Sequence, residues 1–357
     1  MTRAAALASR RARRSVQVVL GSLWIFDGVL QAQPSLSTAN YLGMMLRMGT
    51  AEPPGWLWDL ESRIEPFVTS HAWGCNVACA AIQLAVGFGI CWRRTTRAAL
   101  GASVAWAFIV WLFGEAAGGL FSPGASALSG APGAALIYAL VAMVVWPPQR
   151  EDASNRRTAR RVPDIAWCIL WLGTAALELE VLNRSGFIVG ATISNVAYSA
   201  PGVFAGADRA VSVFATGHGL LFAVLLAGVQ IVIALGIWFP RARRPTLALA
   251  LMAAAFFGVV GQNLGGIFSN GFTGGLESGA TDPGNGPILV LFALALWPGV
   301  RPAPAALPAP VEQHFTLMVR VRRRVIAVVG LLPDRTVEEL SPDMPQGDSL
   351  PTTLVSV

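Results

Sequence analysis

Eight apolar segments, near 16–33, 71–92, 98–121, 132–147, 164–182, 213–239, 246–268 and 286–299, alternate with arginine-bearing turns and two long polar loops. A bilayer core about 30 Å thick takes roughly 20 helical residues to cross, so most of these runs have spanning length and the fourth and eighth sit at its lower limit. Inside a bilayer every backbone N–H and C=O must be bonded within the chain, which selects helices for segments of this kind. The segments therefore predict an all-α integral membrane fold with eight transmembrane helices. Composition agrees, since only 13% of the residues are charged, about half the share usual in soluble domains.

Charge orients the spans. All the basic residues are arginine, a bias that, with the abundant alanine and glycine, reads as that of a GC-rich bacterial genome. With a cytoplasmic N-terminus the inner segments hold 22 of the 26 arginines, leaving Arg47, Arg63, Arg184 and Arg209 on the outer side. The positive-inside rule then puts both termini in the cytoplasm of a multi-pass protein of the bacterial inner membrane. The arginines lie in short clusters between apolar runs rather than on one polar domain, so they mark the lipid bilayer and not nucleic acid as the partner.

The second half repeats the first at an offset of 147 residues. Leu23-Trp24 aligns with Leu170-Trp171, His71 with His218, Gln83 with Gln230, and "GEAAGGLFSPG" at 114–124 with "GQNLGGIFSNG" at 261–271. Repeats with an even number of spans both enter from the cytoplasm, so the two four-helix units are expected to lie parallel. The expected domains are 1–150, the first membrane repeat with its cytoplasmic N-terminus; 151–299, the second; and 300–357, a cytoplasmic tail. The N-terminal stretch has the look of a signal peptide, but its counterpart at 164–182 is internal, so it reads as a retained first span.

Ionisable groups facing lipid cost several kcal/mol, so those within spans are candidates for a wet cavity or the bundle interior. Asp27, Gln31, His71 and Glu115 fall in the outer part of the first repeat, and Glu178, Glu180, His218 and Gln262 in that of the second. Each set is expected to converge, through Asp27, His71 and Glu115 in one and Glu178, His218 and Gln262 in the other. The competing reading makes them interfacial side chains or interhelical hydrogen bonds. His71, Cys75 and Cys79 share one helical stripe and, with Met44, Met45 and Met48, have soft-ligand character, although plain packing explains the cysteines as simply. No cofactor motif and no catalytic signature is present. The glycines at 114, 118, 261 and 265 read as small residues that let helices approach closely. Beyond 299 a proline-rich linker leads to a basic-apolar stretch, 311–332, that reads as a segment on the inner leaflet or as a disordered tail.

"IQLAVGFGICWRRTTRAALGASVAWA" at 82–107 and "VQIVIALGIWFPRARRPTLALALMAA" at 229–254, each an apolar span, a basic turn and a second apolar span, resemble the DoxX/DoxD-like membrane proteins. The first span, "LGSLWIFDGVLQAQP", is similar to that family's opening helix, with Gln31 where many members carry a lysine. The resemblance covers about 1–150 and 160–300 and implies two fused four-helix units and a quinone-linked, redox-associated accessory subunit without independent catalysis. A second reading from the residues is a transporter or a cation- or metal-binding protein with an outer-facing polar site. The outer side carries 11 acidic residues against four arginines, which suits cations. A third is a scaffold whose loops 34–70 and 183–212 meet a membrane or extracytoplasmic protein partner. Reporter fusions at Gly55, Gly202 and Asn285 are expected to report outside and fusions at Ser154 and the C-terminus inside; an outside C-terminus would contradict the topology.

Overall fold

The computed structural model describes residues 3–48, 54–147, 153–269, 279–300, 314–321 and 324–331. The chain divides near residue 302 into a membrane-sized helical body and a C-terminal unit. In the body, α1 (Arg3–Gln31), α2 (Ala39–Met48), α3 (Gly55–Ser70), α4 (Ala72–Cys91), α5 (Thr96–Ile109) and α6 (Ala134–Val144) form the first half. The second half comprises α7 (Ala153–Glu178), α8 (Gly186–Ser199), α9 (Gly202–Gly217), α10 (Gly219–Gly236), α11 (Arg243–Val259) and α12 (Asn285–Ala295). Among the described residues three helical stretches are long and apolar enough to cross a bilayer: Ala72–Cys91, Thr96–Gly114 and Gly219–Gly236. Helices α6 and α12 are apolar and shorter.

Helix α1 packs along α4, α7 along α10, α5 on α6 and α11 on α12, while α6 meets α12 between the halves. The α1–α4 contact depends on small residues, because a Cβ on Gly87 would lie 2.6 Å from the Gly21 carbonyl oxygen. One apolar core runs through both halves and includes Trp24, Tyr138, Trp167, Trp171, Phe257 and Phe292. At the arginine-rich end, the Arg14 guanidinium donates to the Ile90 carbonyl at 2.9 Å and to that of Cys91, closing the C-terminus of α4. A cation there also meets the negative end of the helix dipole. Arg243 pairs with Asp164 at 3.0 Å and donates to the Leu296 carbonyl at 3.2 Å.

The third and seventh apolar segments stop being helical sooner than their hydropathy indicates. After α5 one π-helical turn, Val110–Gly114, leads into left-handed backbone at Ala116, Ala117, Gly118 and Gly119; after α11 the same conformation occurs at Asn263, Leu264, Gly265 and Gly266. The glycine runs are thus tight turns and not helix-contact stripes. A Cβ on Gly118 would fall 1.7 Å from the Pro132 oxygen, and one on Gly265 2.1 Å from the Asp282 oxygen, so these glycines admit the following loop's backbone.

The C-terminal unit corrects a second expectation. Within 311–332, β1 (His314–Val321) and β2 (Arg324–Leu331) form an antiparallel hairpin in which His314 faces Leu331 and Val321 faces Arg324. A disordered tail does not describe these strands. Their β-branched residues, Thr316, Val319, Val321, Val325, Ile326, Val328 and Val329, favour extended backbone.

Candidate functional site

At the end of α1 remote from its arginines the body encloses a cavity of about 450 Å³. Its walls come from α1, α4, α5, the π-helical turn and α6, and residues of α2 and α3 close over it. Most of the lining is apolar, for example Leu42, Met45, Ile64, Ile82 and Val110, and Asp27, Gln31 and Glu115 lie in it as the sequence predicts.

Asp27 is 2% exposed, and the Tyr138 hydroxyl is the hydrogen-bonding group set against its carboxyl. Gln83 Oε1 and Trp106 Nε1 are buried and unpartnered. Leaving such groups unmet costs about 1–3 kcal/mol each, so their convergence on one cavity is unusual for mere packing. Trp24 braces Tyr138, its indole N–H donating to Ser103 Oγ at 2.8 Å while its ring packs 4.7 Å from the tyrosine ring. The Glu115 carboxylate accepts from the Ala135 N–H at 3.0 and 3.2 Å, at the start of α6. Gln31 donates to Asn76, whose side chain donates to the Gln31 carbonyl and to Ser37 Oγ, locking the end of α1 to α4.

A third carboxyl, missed by the sequence reading, comes from the other half. Gln33 donates to the Ala280 carbonyl at 2.8 Å and accepts from the Gly279 N–H at 3.0 Å, while the Tyr41 hydroxyl donates to the Gly279 carbonyl at 3.0 Å. These bonds hold the segment before α12 across the first half and set Asp282 in the cavity wall. Burial pushes the Asp282 carboxyl up, while the Gly284 N–H and Thr281 hydroxyl work against it. Burial and the neighbouring Asp282 push the Tyr41 phenol up to about 12.

The second cluster is closed by the reciprocal loop. Glu178 Oε1 accepts from the Ala127 N–H at 2.9 Å and from Gln230 at 3.1 Å, and Gln262 donates to the Ala127 carbonyl at 2.8 Å. Gln262 also accepts from the Asn285 N–H at 2.9 Å, and Asn183 donates to the Ala125 carbonyl at 2.8 Å. Residues 125–131 therefore occupy the polar end of the second half. Glu180 lies outside, exposed, with Oε2 accepting from the Leu182 N–H.

The histidines join neither cluster. His71 ends α3: its N–H donates to the Phe67 carbonyl, its Nδ1 lies 3.0 Å from the same oxygen, and its ring stacks on Phe67 at 4.7 Å. His218 repeats this against Phe214, with a ring separation of 5.1 Å. The expected convergence of His71 with Asp27 and Glu115, and of His218 with Glu178 and Gln262, is thus not what the fold builds. Both rings face the surface because the α3–α4 and α9–α10 junctions turn them back along the preceding helix. Cys75, Cys79 and Met45 do line the cavity, but no group of three His, Cys, Asp or Glu positioned for a metal occurs among the described residues. Two further buried acids, Glu61 on α3 and Asp208 on α9, each keep one unpartnered oxygen, and burial pushes both carboxyls up.

No family model, no curated protein and no solved structure matches the chain.

Because Glu178 satisfies both a buried backbone donor and Gln230, Glu178→Ala is expected to cost about 1–3 kcal/mol and to lower the melting temperature of the purified protein. Exposed Glu180→Ala should change stability by less than about 0.5 kcal/mol. Equal melting temperatures for the two variants would contradict the assignment of the second cluster as structural.

Proposed function

We propose that the chain is a multi-pass membrane protein of eight spans, built as two parallel four-helix repeats with both termini cytoplasmic. Its first repeat is a binding module for a small molecule with an apolar body and a polar head. The spacing of the elements supports the duplication: α3 and α9 begin at Gly55 and Gly202, and α4 and α10 at Ala72 and Gly219. α1 and α7 end at Gln31 and Glu178. The left-handed turns at 116–119 and 263–266 and the two histidine junctions keep the same offset of 147. The arginine distribution supports the orientation. In this reading the repeats are DoxX-like units, and the protein is an accessory or transport component that binds without catalysing.

The observation that carries the binding role is one apolar-walled cavity on which the Asp27 carboxyl with its Tyr138 neighbour and the unpartnered Gln83 Oε1 and Trp106 Nε1 converge. Binding sites combine apolar walls with a few convergent polar groups in this manner. A quinone-linked role is a second reading, favoured by the Trp106 N–H, a buried donor without an acceptor that suits a carbonyl oxygen.

Native mass spectrometry of the protein extracted mildly from its own membrane tests the role. A small molecule at about one per chain is expected, together with its loss from Cys79→Trp, which fills the cavity, at an unchanged helical circular dichroism spectrum. No bound molecule, or one retained by the filled variant, would overturn the binding role.

A further inference from the structure

The chemistry of the cavity wall restricts what the proposed binding module accepts. Among the described residues three carboxyl groups, Asp27, Glu115 and Asp282, line it, and neither arginine nor histidine does. Glu115 receives the backbone N–H groups of Ala135 and Ala134, and Asp282 receives the Gly284 N–H at 2.7 Å and the Thr281 hydroxyl at 3.1 Å. Asp27 has the neutral Tyr138 hydroxyl beside it and no charged partner. A buried carboxylate is costly without an opposite charge, and here the protein supplies none within the cavity.

Beside the carboxyls the wall is mostly aliphatic, with five aromatic side chains among the described lining residues. Trp24, Tyr41, Trp106, Phe113 and Tyr138 all contribute to it. Aromatic faces attract cations through the ring quadrupole, most strongly where water is excluded, and cages of such rings recognise quaternary ammonium groups. Acidic groups beside aromatic rings therefore favour a positive charge, while apolar side chains such as Ile64 and Ile82 offer contact to a hydrocarbon body.

We propose that this cavity binds a hydrophobic organic ammonium ion, its charge set among Asp27, Glu115 and Asp282 and its apolar part among the aromatic and aliphatic walls. The inference rests on the binding role and adds the class of ligand. Anions meet three carboxyls. A hydrated inorganic ion meets mostly apolar wall and no ready-made ligand group among the described residues. A neutral hydrocarbon leaves Asp27 as it is. The 147-residue offset places Thr174 opposite Asp27, Ala253 opposite Trp106 and Gln262 opposite Glu115. The second half thus lacks the acid-aromatic set and should not take the same ligand.

Benzyltrimethylammonium and its uncharged carbon isostere, neopentylbenzene, separate charge from shape. Equilibrium binding to the full chain in nanodiscs is expected to be saturable and single-site for the cation and at least about tenfold weaker for the isostere. Asp27→Asn should weaken the cation by about tenfold or more and leave the isostere unchanged. Asp282→Asn, on a loop, should do the same and keeps the test available if Asp27→Asn does not fold; Thr174→Val should change neither. Equal affinity for the two probes, no saturable cation binding, or cation binding indifferent to both carboxyl replacements would overturn the proposal. Loss of charge preference while Cys79→Trp still ejects a co-purified molecule would refute the ligand class alone. A chain that carries no molecule and binds neither probe would refute the binding role as well.

Discussion

In a helical body packed largely from apolar side chains, each buried carboxyl or amide must find a partner, and the loops before α6 and α12 are where that requirement is met or left open. Residues 125–131 deliver the Ala127 N–H and carbonyl to Glu178 and Gln262. Residues 279–284 deliver backbone to Gln33 and Tyr41 in return. Each half is thus completed by a loop from the other. The tight turns at 116–119 and 263–266 permit the crossing, because their glycines leave room for the passing chain. A side chain at Gly118 or Gly265 would strike that loop's backbone and displace the residues that position Asp282 or satisfy Gln262.

The outcome differs between the halves. In the second, hydrogen bonds from Gln262, Asn183 and Asn285 tie the loop down, Gln230 braces Glu178, and Phe222 and Leu226 pack with the apolar core, while Trp171 Nε1, Gln230 Oε1 and the Asn263 amide stay unpartnered. In the first, the loop brings another acid rather than a donor, and the cavity remains beside Asp27 and the unpartnered Gln83 and Trp106. Unmet polarity in an apolar wall is destabilising unless something occupies the space. The proposed ligand supplies that missing partner, which is why the binding role follows from the same constraint that builds the fold.

Much of this was legible in the residues themselves. The apolar runs marked α4 and α10 closely, and the cost of an ionisable side chain in a span singled out Asp27, Gln31 and Glu115, which do line one cavity. Glu178 and Gln262 also meet, through Ala127. His71 and His218 share the sequence depth of their clusters, but depth says nothing about azimuth at a helix junction, where a local contact with Phe67 or Phe214 decides the direction. Tyr138 was hidden inside the run "AALIYALVAMV", in which one aromatic residue reads as core. Asp282 was invisible because it reaches the site from the other half's loop, 144 residues beyond Tyr138 in sequence, a tertiary event with no local pattern. The glycine turns are not legible because small-residue spacing is the same for a helix contact and for a turn, and the strands at 314–321 and 324–331 show in the sequence only as a run of β-branched residues among arginines.

What sets the halves apart is that the first holds an open cavity at the position where the second packs Leu226 against the core. Reactivity of single cysteines toward a small water-soluble methanethiosulfonate measures this directly, using Cys79 alone in one chain and Leu226→Cys alone in an otherwise cysteine-free chain. Cys79 lines the cavity, whereas Leu226 packs against the core at the position 147 residues later. The account predicts modification at Cys79 at least about tenfold faster than at the introduced cysteine, since a thiol reacts as its exposed thiolate. Equal rates at the two positions, or an inert Cys79, would contradict it.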